Sequence, residues 1–301
     1  MVMCIIIGKW FPDTGWVGIK NRDRNYIPEI SFRKKSSDGV EILYFWDDIT
    51  QYCEGLNSAG VCVLSASLMV KDDEKEITVR TKQPSKDGIK IQRALKLPDV
   101  RACAMSLIKQ KLPGNTLVFD KDTMILIEGC WRPGEYDSQG YTYKVQEIPR
   151  TDTVVRTNHG VLIPWAGYQR GENVNQTMSR ISSESRRAIA QQACKDCFKP
   201  QQIMDNLTKD YTHNGQLNAL RTTTDRKKMR TTSQILMVPH ERMMYVRPVQ
   251  SHIDFNFWKL NDPKQQTWVE IMSNRVLYKN LNNIEQDQTI PFQKNLNHKT
   301  Q

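Results

Sequence analysis

The sequence lacks any run of eighteen apolar residues, so no membrane-crossing helix is expected. Its N-terminus shows no basic segment followed by a long apolar one, and no secretory signal is expected there. The seven cysteines are odd in number and carry no framework spacing, which argues against a disulfide-stapled scaffold. Free thiols in a reducing compartment are expected, with the cytoplasm as the default location. Also missing are an internal repeat, a linker that would split the chain, a zinc finger, an RNA-recognition signature and an Arg/Gly-rich tract. The formal charge of +10 is dispersed, with modest clusters at 33–35, 186–187 and 226–228, and reads as a solvated basic surface. No specific nucleic-acid or membrane partner is expected, while an acidic substrate or a weak polyanion contact stays open. Cys194-Lys-Asp-Cys197 has no second pair to complete a metal site and reads as the apolar face of a helix. Neither a metal nor a cofactor is expected.

What is present is ample for a core: 301 residues with 39% hydrophobic content. Short apolar runs broken by turn residues predict strands at 41–46, 61–68, 117–119, 124–127, 141–148, 153–156, 233–238, 243–246 and 268–272. Asp99 is placed to cap a helix running to Lys111, with Val100, Cys103, Leu107 and Ile108 on one face. A polar loop is expected at 167–176, a helix opening at Ser182, and another from Pro200 to Tyr211 with proline in its first turn. Residues 71–88 read as polar surface, and from Lys279 the chain is Asn/Gln-rich and partly disordered. Antiparallel strands with a few mid-chain helices predict one α+β layered domain over 1–278 and a polar tail over 279–301.

The chemistry concentrates in the first twenty-six residues. Cys4 is followed by Ile5, Ile6 and Ile7, then by a turn containing Pro12, Asp13 and Gly15, then by a second extended run. Antiparallel pairing returns Lys20, Asn21, Arg22 and Asp23 towards the cysteine. Were Cys4 the first residue, one residue would hold a thiol and a free α-amine. A free cysteine titrates near pH ~8.5 and an α-amine near pH ~7.7–8.0, so the amine can take the thiol proton and return it to a leaving amine. Such a site needs a carboxylate to orient the amine, a role open to Asp23, and donors for the developing oxyanion. Each residue also has a plain reading. A free cysteine is commonly a small buried hydrophobe, Asp23 can pair with Arg22 or Arg24, Asn158 in Asn158-His159-Gly160 can be a turn residue, and Arg186 can lie on a solvated helix face.

Five segments in order give a resemblance extending from Cys4 to Val249. They are the Cys4 hairpin ending in Lys20-Asn21-Arg22-Asp23, the turn and strand of Gly55-Leu-Asn-Ser-Ala-Gly-Val-Cys-Val, Thr157-Asn158-His159, Ser183-Glu-Ser185-Arg186, and the hairpin from Gln234 to Val246. Together they resemble the N-terminal-nucleophile hydrolases of the choloylglycine hydrolase and acyl-CoA:6-aminopenicillanate acyltransferase type. The family usually has arginine where Lys20 stands. The resemblance implies a four-layer αββα sandwich with antiparallel sheets, often assembled into homo-oligomers. It implies Cys4 as nucleophile with its α-amine as base, Asp23 as orienter of both, and Lys20 as electrostatic support. Asn158 would donate to the oxyanion together with a backbone N–H of the 65–67 segment, including Ser67, and Arg186 would bridge the polar network behind the nucleophile. Asn21 and His159 join the expected substrate and oxyanion contacts, His159 as a residue that positions its loop. The reaction implied is cleavage of a linear, non-peptide N-acyl amide through a thioester, or acyl transfer when an amine accepts the acyl group. Two alternatives stand beside it: a related group marked by Asn-Arg-Asp-Glu, whose glutamate Asn21-Arg-Asp-Arg24 lacks, and a non-catalytic protein that keeps the sandwich. Met1-Val-Met3 precedes Cys4, so its amine requires either self-cleavage before Cys4 or initiation at Met3 followed by methionine removal. The acyl-chain pocket would draw on Trp10, Trp16, Tyr26, Trp165 and Tyr168, residues that suit a core equally.

Overall fold

The computed structural model describes residues 2–26, 28, 30–68, 87–132, 140–167, 174–223 and 229–249, with strand segments at 267–271, 276–280 and 285–286. In chain order the elements begin with β1 (Val2–Phe11), β2 (Gly15–Arg24), β3 (Ile30–Ser37), β4 (Val40–Asp47), β5 (Tyr52–Asn57) and β6 (Cys62–Ala66). Helices α1 (Asp87–Ala94) and α2 (Val100–Lys109) follow, then β7 (Gly114–Phe119), β8 (Met124–Trp131), β9 (Tyr141–Glu147) and β10 (Thr153–Arg156). Next come α3 (Val174–Ala193), α4 (Pro200–Asn206), β11 (Arg230–Val238) and β12 (Met243–Pro248). The described chain ends with β13 (Thr267–Ile271), β14 (Val276–Asn280) and β15 (Glu285–Gln286).

Two antiparallel sheets result. One runs β10-β1-β2-β11-β12-β13-β14-β15 and the other β3-β4-β5-β6-β7-β8-β9. Side-chain alternation along β1 and β2 divides their residues between two layers. Ile5, Ile7, Val17 and Ile19 pack against Ala190, Ala193, Ile203 and Met204 of α3 and α4. Cys4, Ile6 and Trp16 face the other way, onto Phe45, Leu64, Leu117 and Phe119 of the second sheet. On the far side of that sheet, Tyr44, Cys53, Val63 and Val118 receive Ile91, Val100, Cys103 and Leu107 of α1 and α2. The order helix, sheet, sheet, helix is the αββα sandwich expected, and its buried strands explain why several read as continuous apolar runs. At the β1–β2 turn Gly15 takes φ +79° with the Lys121 carbonyl against its Cα, a place without room for a side chain.

Most of the expected strands are present, 153–156 to the residue. Asp99 caps α2 as expected, its Oδ1 accepting from the Ala102 N–H at 2.8 Å, and the helix stops at Lys109 with Lys111 in the left-handed region at φ 54°. Asp99→Ala should therefore cost about 1 kcal/mol in urea unfolding. A change below the error of that measurement would count against the cap.

Some expectations need correction. Helix α3 starts at Val174, so Ser182 lies inside it and the polar stretch read as a loop is partly helical. An Arg180–Glu184 pair at 2.7 Å, one turn apart, supports that polar segment. Helix α4 ends at Asn206, short of Tyr211. Strand β3 and helix α1 had no expectation, and residues 52–57, read as part of a turn before the strand at 61, form strand β5. The basic run at 33–35 lies on β3, an edge strand, where cations discourage further pairing. Strand β14 crosses the 278/279 boundary and pairs with β15; residues 287–301 lie outside the described residues. Tyr168 and residues 71–86 do so as well.

Candidate active site

Cys4 is fully buried near the start of β1, opposite Arg22 of β2. Its backbone N–H, a peptide N–H following Met3, donates to Asn158 Oδ1 at 3.1 Å. The Nδ2 of the same amide donates to the Ser67 carbonyl at 2.6 Å. On the other side of the thiol, Arg24 Nη1 stands 3.6 Å from Sγ.

Alternation puts Lys20, Arg22 and Arg24 on the face of β2 that looks at the second sheet, a row of three buried cations. The second sheet answers with two buried carboxylates. Glu54 of β5 pairs with Lys20 and, at 3.2 Å, with Arg22. Asp47 at the end of β4 takes Arg22 at 3.1 Å, Arg24 at 3.4 Å and the Tyr26 hydroxyl at 2.8 Å. Burial pushes both carboxyls up, but Arg22 with Lys20 holds Glu54 below the usual carboxylate range, and Arg22 with Arg24 does the same for Asp47. Burial likewise opposes the charge of Arg24, yet Cys4, Tyr26 and Asp47 more than offset it, leaving the guanidinium firmly protonated. Arg22 also lies over the Phe45 ring at 4.6 Å.

The intervening residues, Asn21 and Asp23, face the helix layer. Asp23 binds Arg186 of α3 and accepts from Thr231 Oγ1 at 2.7 Å, with Arg221 Nε at 4.0 Å. Asn21 donates to the Ala219 carbonyl at 3.0 Å and accepts from Gln234 Nε2 at 3.0 Å. Cys4, Asn158 and Ser67 thus meet directly. Lys20 binds Glu54 of the facing sheet and Arg186 binds Asp23 of β2, while Asp23, expected to orient the amine and thiol, and Asn21 both lie on the face of β2 away from the thiol. The 65–67 segment meets the site through carbonyl oxygens, since Ser65 O accepts from Lys20 Nζ.

Asn158 is fixed by the elements behind it. Its N–H donates to Ser183 Oγ at 3.0 Å, and the preceding Thr157 bonds Ser183 O through Oγ1 and Asn115 Nδ2 through its carbonyl, each at 3.0 Å. Glu128 of β8 accepts from the N–H groups of Val161 and Ile163, closing the loop that follows. His159 Nδ1 lies 2.8 Å from Ser183 Oγ and 3.1 Å from Thr157 Oγ1, so its ring positions this loop. Burial pushes the His159 imidazole down to about 4 from its ordinary 6.5, with Arg180 and Arg187 adding to the effect. The unfolded chain then takes up a proton at a higher pH than the folded one. Stability should be full above about pH 6.5 and fall as the pH drops towards about 4. Urea midpoints at about pH 7 and about pH 5 check this, and His159→Gln should flatten the difference.

Arg24, Asp47, Glu54, Thr231 and Arg221 belong to the constellation without having been expected. A lone charge inside an apolar strand, such as Glu54 in Tyr52-Cys-Glu-Gly-Leu56 or Asp47 after Phe45-Trp46, is the sequence signal that could have found two of them. No grouping of His, Cys, Asp and Glu able to hold a metal occurs among the described residues.

The chain has a four-layer αββα sandwich built on two antiparallel sheets. Among solved structures it is similar to an N-acylethanolamine-hydrolyzing acid amidase ortholog of Caenorhabditis elegans, with a TM-score of 0.51 and 12% identity over 79% of this chain and 93% of that one. It is also similar to a penicillin V acylase of Agrobacterium tumefaciens, with a TM-score of 0.45 and 10% identity over 93% of this chain and 87% of that one. No family model and no curated protein sequence matches it.

Proposed function

We propose that the protein is a cysteine amidase that cleaves a linear, non-peptide N-acyl amide through a thioester. The observation that carries this reading is the Cys4 N–H held at 3.1 Å by Asn158 Oδ1, with the thiol on the same residue beside Arg24. Once the residues before Cys4 are gone, that nitrogen is an α-amine at the same place. Sγ attacks the acyl carbon and its proton passes to the amine. The carbonyl oxygen gains negative charge and turns to the second N–H of Asn158 Nδ2. The C–N bond breaks as the amine returns the proton to the leaving nitrogen. Water then adds to the thioester and releases the acid; an amine in its place makes the protein an acyltransferase. Arg24 offers a fixed positive charge beside the sulfur anion. Asp23 acts one shell away, holding β2 to α3 through Arg186. Seven free cysteines suit a reducing compartment, and the reading places the enzyme in the cytoplasm, acting on small N-acyl compounds without cofactor, as a homo-oligomer.

Intact mass and N-terminal sequencing of the purified protein, followed by an activated acyl ester, test the reading. A chain starting at Cys4 that takes one acyl group on that residue is expected. A protein re-expressed from Met3 that loses its methionine and still takes no acyl group would sink it.

A further inference from the structure

Among the described residues, the space between the sheets holds more cationic than anionic side chains. Lys20, Arg22 and Arg24 are joined there by Arg230 of β11, the cross-strand partner of Arg24 and only 2% exposed. Directly opposed residues on one sheet face have Cβ atoms about 5 Å apart, and like charges so placed repel. Against these four cations the facing sheet supplies two carboxylates, Asp47 and Glu54. Among the described residues, four guanidinium nitrogens of these arginines have no hydrogen-bond acceptor: Arg22 Nη1, which faces Glu54 Oε2 at 3.2 Å as an ion pair, Arg24 Nη2, Arg230 Nε and Arg230 Nη1. Buried cations with unused donors are well placed to receive an anion. The Cys4 thiol and its α-amine share one proton and add no net charge, so a substrate anion is left to balance the row.

The layout shows where that anion enters. Sheet order is β10-β1-β2-β11, so Asn158, just beyond β10, lies on one side of Cys4 and the Arg24–Arg230 pair on the other. The oxyanion and the leaving nitrogen both belong on the Asn158 side, where the amide donor and the cysteine nitrogen are. The acyl chain is left to run towards Arg24 and Arg230.

We infer that Arg24 and Arg230 form an anion subsite for the acyl portion of the substrate, and that the preferred substrate is the monoamide of a short dicarboxylic acid. This rests on the amidase reading and narrows its substrate. The distal carboxylate docks on the two guanidiniums as a charge-assisted, bidentate contact.

The test compares glutaryl and pentanoyl amides of one fluorogenic amine, using protein re-expressed from Met3. The glutaryl amide should be cleaved with a kcat/KM at least ~10-fold higher. Arg230→Gln should bring that ratio close to one, and Arg230→Lys should keep part of the preference. Glutarate alone should raise the Tm of the wild type and leave Arg230→Gln unmoved. Equal cleavage of the two amides, or an unchanged ratio in Arg230→Gln, overturns the subsite while leaving the amidase reading intact. Glutarate binding that depends on Arg230 in a protein that cleaves neither amide keeps the subsite and overturns the amidase reading. Absence of both cleavage and glutarate binding overturns both.

Discussion

Cys4→Ala should lower amide cleavage about 10³-fold or more and abolish acyl labelling, with the fold retained. The side chain is small and buried between the sheets beside Arg24, so losing one sulfur leaves a minor void. A stability cost of about 1 kcal/mol is expected from it. A large functional loss beside a small structural one separates a nucleophile from a packing residue. Cys4→Ser keeps an oxygen beside the amine and Arg24, and should retain trace activity above the alanine variant. Intact-mass labelling and a fluorogenic amide give the two readings on one sample. Near-unchanged turnover in either variant would mean that Cys4 is a core residue and the chemistry lies elsewhere.

Asp23→Ala should destabilise the protein by about 3–5 kcal/mol, the largest effect expected of any single substitution here. The carboxylate is fully buried, and its removal leaves Arg186 without its carboxylate and Thr231 without its acceptor. No other carboxylate among the described residues pairs with Arg186 or Arg221. Removing the cation as well, in Asp23→Ala with Arg186→Met, should recover a good part of the loss, since an absent pair costs less than a broken one. Urea unfolding of the two single variants and the double variant measures this coupling. A single-variant loss below about 1 kcal/mol would mean that solvent reaches Asp23.

The fold was legible where local chemistry decides it. The run Ile5-Ile6-Ile7, the Gly15 turn and the alternation after Trp16 specify the β1–β2 hairpin without help from the rest of the chain. Asp99 announced α2 because a cap acts over one helical turn. The start of α3 was hidden because residues 174–181 are mostly polar and show no strong apolar period, so the helix there depends on what surrounds it. Within the site, Cys4 and Asn158 were readable as a pair through the family resemblance, although 154 positions separate them. Arg24 was not. Beside Asp23 it looks like half of a surface pair, and only the register of β2 against β1 shows that it faces the thiol while Asp23 faces away.

That register gives the residues of β2 a second consequence, for the fidelity of folding. Lys20, Arg22 and Arg24 lie on one face of the strand, Asn21 and Asp23 on the other. A slip of one residue would turn three cations into the helix layer, towards Arg186 and Arg221, and strand Asp47 and Glu54 without partners. Apolar residues alone would tolerate such a slip at modest cost, since isoleucine and valine occupy both faces of the neighbouring strands. The charged row does not, and so the side chains gathered around the thiol also proofread the hairpin that carries it.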